Sequence, residues 1–147
     1  MLPFISCMTF RLPWDDYEEC LKGKRIVLIE NDAVTRWQLT KALRRAGVDI
    51  VATADSGLQG IEQVIEHQPD LVILETGPPL PNGLEVARRI LERRQVCILL
   101  LSDRDNETVR EQARQSGVSG YLVKPLTSRD LVSTLEQAYI AFQHANP

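Results

Sequence analysis

From Lys24 onward, short apolar runs alternate with longer segments whose apolar residues recur at helical spacing, the pattern of repeated βα units. The runs are RIVLIE (25–30), DIVATA (49–54), LVIL (71–74), VCILLL (96–101) and SGYLV (119–123). Between them the spacing predicts helices over 33–46, from Ser56 onward, over 83–94, over 104–116, and a last one following Thr127. The first helix counts Val34, Trp37, Ala42 and Leu43 among its apolar positions, and the second carries Leu58, Ile61, Val64 and Ile65. The third buries Leu84, Ala87, Ile90 and Leu91, and the last Leu131, Leu135, Ala138 and Phe142. Gly47 is placed to end the first helix, Ser56 to cap the second, and Thr127 with Asp130 to open the last.

Strands this uniformly hydrophobic need cover on both faces, so the expected fold is α/β, a doubly wound parallel sheet. With 147 residues the chain is long enough for one domain with a sizeable core. The βα pattern fills 23–143, leaving an N-terminal extension (1–22) and a short tail (144–147). The extension holds Phe4, Phe10, Trp14 and Tyr17, and WDDYEECLK reads as a short amphipathic helix with Trp14, Tyr17 and Leu21 inward. It is expected to pack on the domain or on a second copy of the chain, which leaves a homodimer open.

Charge narrows the function classes. The net charge of −3 comes without a basic tail or stripe, so no direct nucleic-acid binding is expected. Arg88, Arg89, Arg93 and Arg94 cluster, but Glu85 and Glu92 lie among them, as on a solvated helix face. Cys7, Cys20 and Cys97 lack metal-ligand spacing, and Cys97 inside an apolar run reads as a buried thiol. No run is long enough to span a bilayer, and the expected location is the cytoplasm. His67 and His144 are isolated, and no nucleophile–base pair is evident, so the chain is not expected to be an enzyme.

In such a sheet, functional groups gather at the C-terminal ends of the strands. Those ends supply Glu30, Asn31 and Asp32, then Glu75, then Ser102 and Asp103, and finally Lys124 followed by Pro125. Carboxylates this close repel by about 4 kcal/mol at 4 Å and an effective dielectric near 20, so the set implies a counter-charge. A divalent cation, Lys124, or both would supply it. A hydroxyl, a lysine and carboxylates are also the parts that hold a phosphoryl group.

The ordered set IVLIENDAVTR, PDLVILE with PPLPNGLEV, ILLLS and SGYLVKP resembles the receiver domain of two-component response regulators. The resemblance covers about Lys24 to Gln143 and implies a flavodoxin-like (βα)5 fold with strand order 2-1-3-4-5. It places Asp32 as a metal-binding acidic residue with Glu30 and Asn31 as pocket neighbours, and the carbonyl of Gly77 as a further metal ligand. Glu75 falls where the family carries its phosphorylated aspartate. Ser102 matches the switch hydroxyl, Tyr121 the switch aromatic, and Lys124 the pocket lysine, with Pro125 expected to be cis.

Asn31 removes a charge and should weaken Mg²⁺ binding. Glu75 lengthens the acceptor, so the implied function is an atypical receiver signalling by protein contacts through the face of the fourth helix, fifth strand and fifth helix. The alternatives are a conventional regulator that tolerates Glu75 and a Mg²⁺-dependent hydrolase on the same scaffold. The tail also resembles receivers that precede RNA-binding antitermination (ANTAR) domains.

Overall fold

The structure, a computed structural model, describes residues 5–6, 20–76, 83–103 and 107–146. Its strands are β1 (Ile5–Ser6), β2 (Arg25–Ile29), β3 (Asp49–Ala54), β4 (Leu71–Glu75), β5 (Cys97–Ser102) and β6 (Gly120–Val123). The helices are α1 (Ala33–Arg45), α2 (Gly57–His67), α3 (Gly83–Arg93), α4 (Glu107–Gln115) and α5 (Ser128–Ala145). All pairings are parallel, in the order β1-β6-β5-β4-β2-β3. From β2 onward this is the flavodoxin-like order 2-1-3-4-5. The addition is β1, in which Ile5 and Ser6 stand beside Gly120 and Tyr121 on the edge strand. The residues expected to form a helix around Trp14 and Tyr17 lie outside those described, but Leu21 is fully buried.

The alternation within each strand explains why the runs are apolar throughout. Ile26, Leu28, Leu71, Ile73, Leu99 and Leu101 enter one core layer with α1 and α5. Val27, Ile29, Val72, Leu74, Ile98 and Leu100 enter the other, under α2, α3 and α4. Cys97 is fully buried in the first layer, and burial pushes its thiol up to about 12, which leaves it unreactive near neutrality.

Helix ends follow the chemistry of the chain. Ser56 and Thr127 accept the N–H groups of Gln59 and Asp130 through their side chains. After α1, Gly47 adopts φ +82, which an L side chain rarely takes. The N–H groups of Gly47 and Val48 then return to the carbonyls of Arg44 and Leu43, each at 3.0 Å.

Two helical faces depart from the expectation. Val34 and Trp37 on α1 are 64% and 61% exposed, while Ala42 and Leu43 are buried as expected, together with Leu39. On α2, Leu58 and Ile65 are 62% and 40% exposed, while Gly57, Gly60 and Val64 face inward. The reason lies at Gly60, where a Cβ would stand 2.4 Å from Ile29 Cδ1. Two glycines allow α2 to settle closely on β2, and that docking turns the bulkier stripe outward. Of the arginine cluster, Arg88, Arg89 and Arg93 are exposed as expected, with Arg88 paired to Glu85 and Glu92 on α3, whereas Arg94 is half-buried and donates to the Pro69 carbonyl.

Candidate functional site

The sheet register brings the rim residues together. Glu75 ends β4 opposite Leu101, and Ser102 ends β5 opposite Val123, one residue before Lys124. The Lys124 N–H donates to the Ser102 carbonyl at 2.7 Å, and the chain then turns through a cis Lys124–Pro125 bond. The lysine therefore starts from a fixed point beside two strand ends.

Its ammonium donates to Glu75 Oε2 and, at 3.1 Å, to Glu30 Oε2. Glu30 is 1% and Glu75 4% exposed, so two carboxylates share one cation in a nearly dry setting. Burial first, and then the adjoining Glu75 carboxyl, push Glu30 from 4.5 up to about 7. Burial also opposes charge on Lys124, but its bonds to Glu75 and Glu30 prevail and hold its pKa above the ordinary value. The cluster can therefore relieve its excess negative charge by taking up a proton as pH falls through neutrality.

Linkage gives this a measurable sign. The folded pKa of Glu30 lies above its unfolded value, so the folded chain binds more protons between pH 4.5 and about 7. Its contribution therefore falls as pH rises through that window, by on the order of 2 kcal/mol. Asp32, Glu85 and Glu111, held low by hydrogen bonds, act at more acid pH, where their contributions disappear as pH falls. Urea unfolding across pH 4.5–8 should show the decline in the wild-type chain and a much flatter profile in Glu30→Gln.

Asp32 does different work. It is exposed, and Oδ2 accepts the N–H and hydroxyl of Thr35 at 2.9 and 2.6 Å, capping α1. Its own N–H donates to Glu30 Oε1 at 3.2 Å. Ser102 is buried at the strand end and Asn31 half-buried, while Asp103 and Pro125 are exposed. Tyr121 is fully buried, with the Arg110 guanidinium 5.7 Å from its ring centre. Gly77 lies outside the described residues.

Two further side chains brace the site without having been singled out from the sequence. Arg36 donates to the Glu30 carbonyl at 2.8 Å, and the Thr76 hydroxyl donates to the Leu101 carbonyl at 3.1 Å. Their positions, one helical turn past Asp32 and directly after Glu75, were the available signals.

As a cation site this arrangement fits poorly. Both buried carboxylates already bind Lys124, and Asp32 is turned onto Thr35. Among the described residues, no group of three or more His, Cys, Asp or Glu side chains stands together in metal-holding geometry. A divalent ion would have to displace an ammonium from both of its acceptors.

The response regulator receiver domain family matches residues 26–136. The transcriptional regulatory protein PdtaR of Mycobacterium tuberculosis is 33% identical over 120 residues, covering 82% of this chain and 58% of that protein. AfsQ1 of Streptomyces coelicolor, also a transcriptional regulatory protein, is 39% identical over 106 residues, 72% of this chain and 47% of its own length. The chain thus spans about half the length of these curated relatives. Among solved structures, the signal receiver domain of the response regulator NarL from Mycobacterium tuberculosis superposes with a TM-score of 0.76 at 27% identity, covering 81% of this chain and 98% of that one. Among the described residues no helix is long and apolar enough to cross a membrane. With the fold and the family match in agreement, this chain belongs to the receiver domains of two-component response regulators.

Proposed function

We propose that this receiver passes its signal through protein contacts without ordinary phosphorylation, with Glu75 serving as a standing ligand of Lys124. The observation that carries the reading is the bond from the Lys124 ammonium to Glu75, shared with Glu30, in the acceptor position. A phosphoryl group entering there would meet a carboxylate already engaged by the cation that should receive the phosphate. Glutamate also extends about 1.5 Å beyond aspartate. In-line transfer depends on positioning, and a misplacement of this size costs about a hundredfold.

The output face in this reading is α4, β6 and α5, with Tyr121 and Ser102 as the coupled pair, and its partner is a protein. The module itself is not an enzyme, binds neither nucleic acid nor membrane, works in the cytoplasm, and has at most weak use for Mg²⁺ through Asp32, Glu75 and Gly77.

The test is intact mass after incubation with a small-molecule phosphodonor and Mg²⁺. The wild-type chain should stay unmodified, and Mg²⁺ titration calorimetry should be silent at millimolar ion. Glu75→Asp, which shortens the side chain and loosens its hold on Lys124, should gain one phosphoryl group. An adduct mapped to Glu75 in the wild type would establish the conventional phosphorylated regulator instead.

A further inference from the structure

The outward turn of α2 leaves an apolar stripe that the fold itself does not cover. Leu58, Ile61 and Ile65 run along the side of α2 nearest α3, with Leu58 and Ile65 exposed and Ile61 half-buried. With Arg89 and Arg93 of α3 they line a groove of about 440 Å³ between the two helices. Exposed apolar side chains gathered in one groove, rather than scattered singly, mark a contact surface.

Charge is divided across the same groove. The α2 helix carries Glu62 and Glu66 and neither lysine nor arginine, whereas α3 sets Arg88, Arg89 and Arg93 against Glu85 and Glu92. Within α3, Arg88 is held by Glu85 and Glu92, and Arg89 by Glu85 at 3.3 Å. Glu62 and Arg93 line the groove from opposite helices, and neither takes part in a hydrogen bond or ion pair among the described residues.

We infer that the α2–α3 groove is the contact between two copies of this chain, related by a two-fold axis running along the groove. Both helices connect strands of one parallel sheet, so they run in the same direction. An axis parallel to them lays α2 of each copy on α3 of the other. The acidic helix then meets the basic one twice, with Glu62 of each copy facing Arg93 of its mate, and the two apolar stripes close on each other at the axis. An axis across the helices would instead set α2 on α2, acid against acid. A surface that carries its own complement in this way is suited to an isologous contact. Exposed ion pairs add little affinity, so Leu58, Ile61 and Ile65 supply the attraction and the charges fix the orientation. The contact draws on α2 and α3 alone, leaves the proposed output face of α4, β6 and α5 outside it, and does not depend on the state of Glu75.

Sedimentation velocity of the full chain from about 1 μM to about 500 μM, the range suited to a small interface, should show a monomer–dimer equilibrium. Glu62→Arg and Arg93→Glu, both at exposed helix positions, should each weaken it at least about tenfold, because each sets like charges opposite one another twice. Mixed in equal amounts, the two variants should associate as the wild type does, since each chain offers the charge that the other lacks. Leu58→Ser with Ile65→Ser should weaken association as strongly with no change of charge, so a folding defect in one charge variant leaves this pair to decide. Val34→Ser with Trp37→Ser, at the exposed apolar positions of α1, should leave association unchanged. A chain that stays monomeric throughout, a dimer indifferent to the α2 and α3 substitutions, a dimer lost with the α1 pair, or folded charge variants that fail to recover on mixing would each overturn the inference.

Discussion

Replacing Lys124 by Met should destabilise the chain by about 3–5 kcal/mol at pH 8, the largest loss expected from any single change at the rim. The methionine retains the length of the lysine stem, so packing changes little. What disappears is the cation that Glu30 and Glu75 share, leaving two buried carboxylates side by side. Removing one partner from a buried ion cluster exposes the full cost of desolvating the others. The deficit should shrink as pH falls, because protonation relieves the pair, and Glu30 already takes up its proton at about 7. Urea unfolding at pH 8 and pH 5 measures both effects. The triple variant Glu30→Gln, Glu75→Gln, Lys124→Met should recover most of the loss, since neutral groups of similar shape demand no counter-ion. If Lys124→Met alone costs less than about 1 kcal/mol at pH 8, the cluster is solvated and Glu75 is not held as described.

Gly83→Ala should be nearly as damaging, at about 3 kcal/mol, with no charge involved. Gly83 opens α3 directly against the end of β4. A Cβ there would lie 2.7 Å from the Thr76 Cα and 2.8 Å from the Glu75 carbonyl oxygen, both backbone atoms that cannot rotate aside. Either the start of α3 moves away or the end of β4 shifts, and with it the origin of the Glu75 side chain. The variant should therefore melt lower and also disturb the lysine contact. Chemical shifts of the Lys124 ammonium and the Glu75 carboxyl report this separately from global stability. Gly60→Ala provides a comparison, because its Cβ would strike the buried side chain of Ile29, Cδ1 at 2.4 Å and Cγ1 at 2.7 Å, rather than backbone.

The core was legible in the sequence because both layers draw on the same runs. A strand buried on two faces has no polar alternation to misread, and β2, β4 and β5 appear as plain apolar stretches. Helix ends were legible where a residue has one outstanding physical reason to be there, as at Gly47, Ser56 and Thr127. The outward turn of Leu58 and Trp37 was not. Periodicity shows which residues share a face of a helix, but which face docks depends on how closely the partner approaches. At α2 the glycines at 57 and 60 decided that, and a hydrophobicity pattern gives glycine no weight.

At the rim, the strand ends identified the set but not its pairings. Glu30, Asn31 and Asp32 are consecutive, and only the geometry distinguishes the carboxylate that faces Lys124 from the one that caps α1. That division follows from the backbone: Glu30 still has strand direction, whereas Asp32 stands one residue before a helix, with free N–H groups at hand. The sequence also gave no sign of β1, because two residues are too few to show any period.

That short strand has a consequence for the order of events during synthesis. Ile5 and Ser6 pair with Gly120 and Tyr121, more than a hundred residues later in the sequence. A ribosome delivers the first segment long before β6 exists to receive it, while β2 and β3 can pair as soon as both have emerged. Ile5 and Ser6 must therefore wait for this pairing while the four strands between β1 and β6 are made. The sheet acquires this edge strand only after the segment bearing Tyr121 has left the exit tunnel, so among the described strands the first in sequence is the last to be placed.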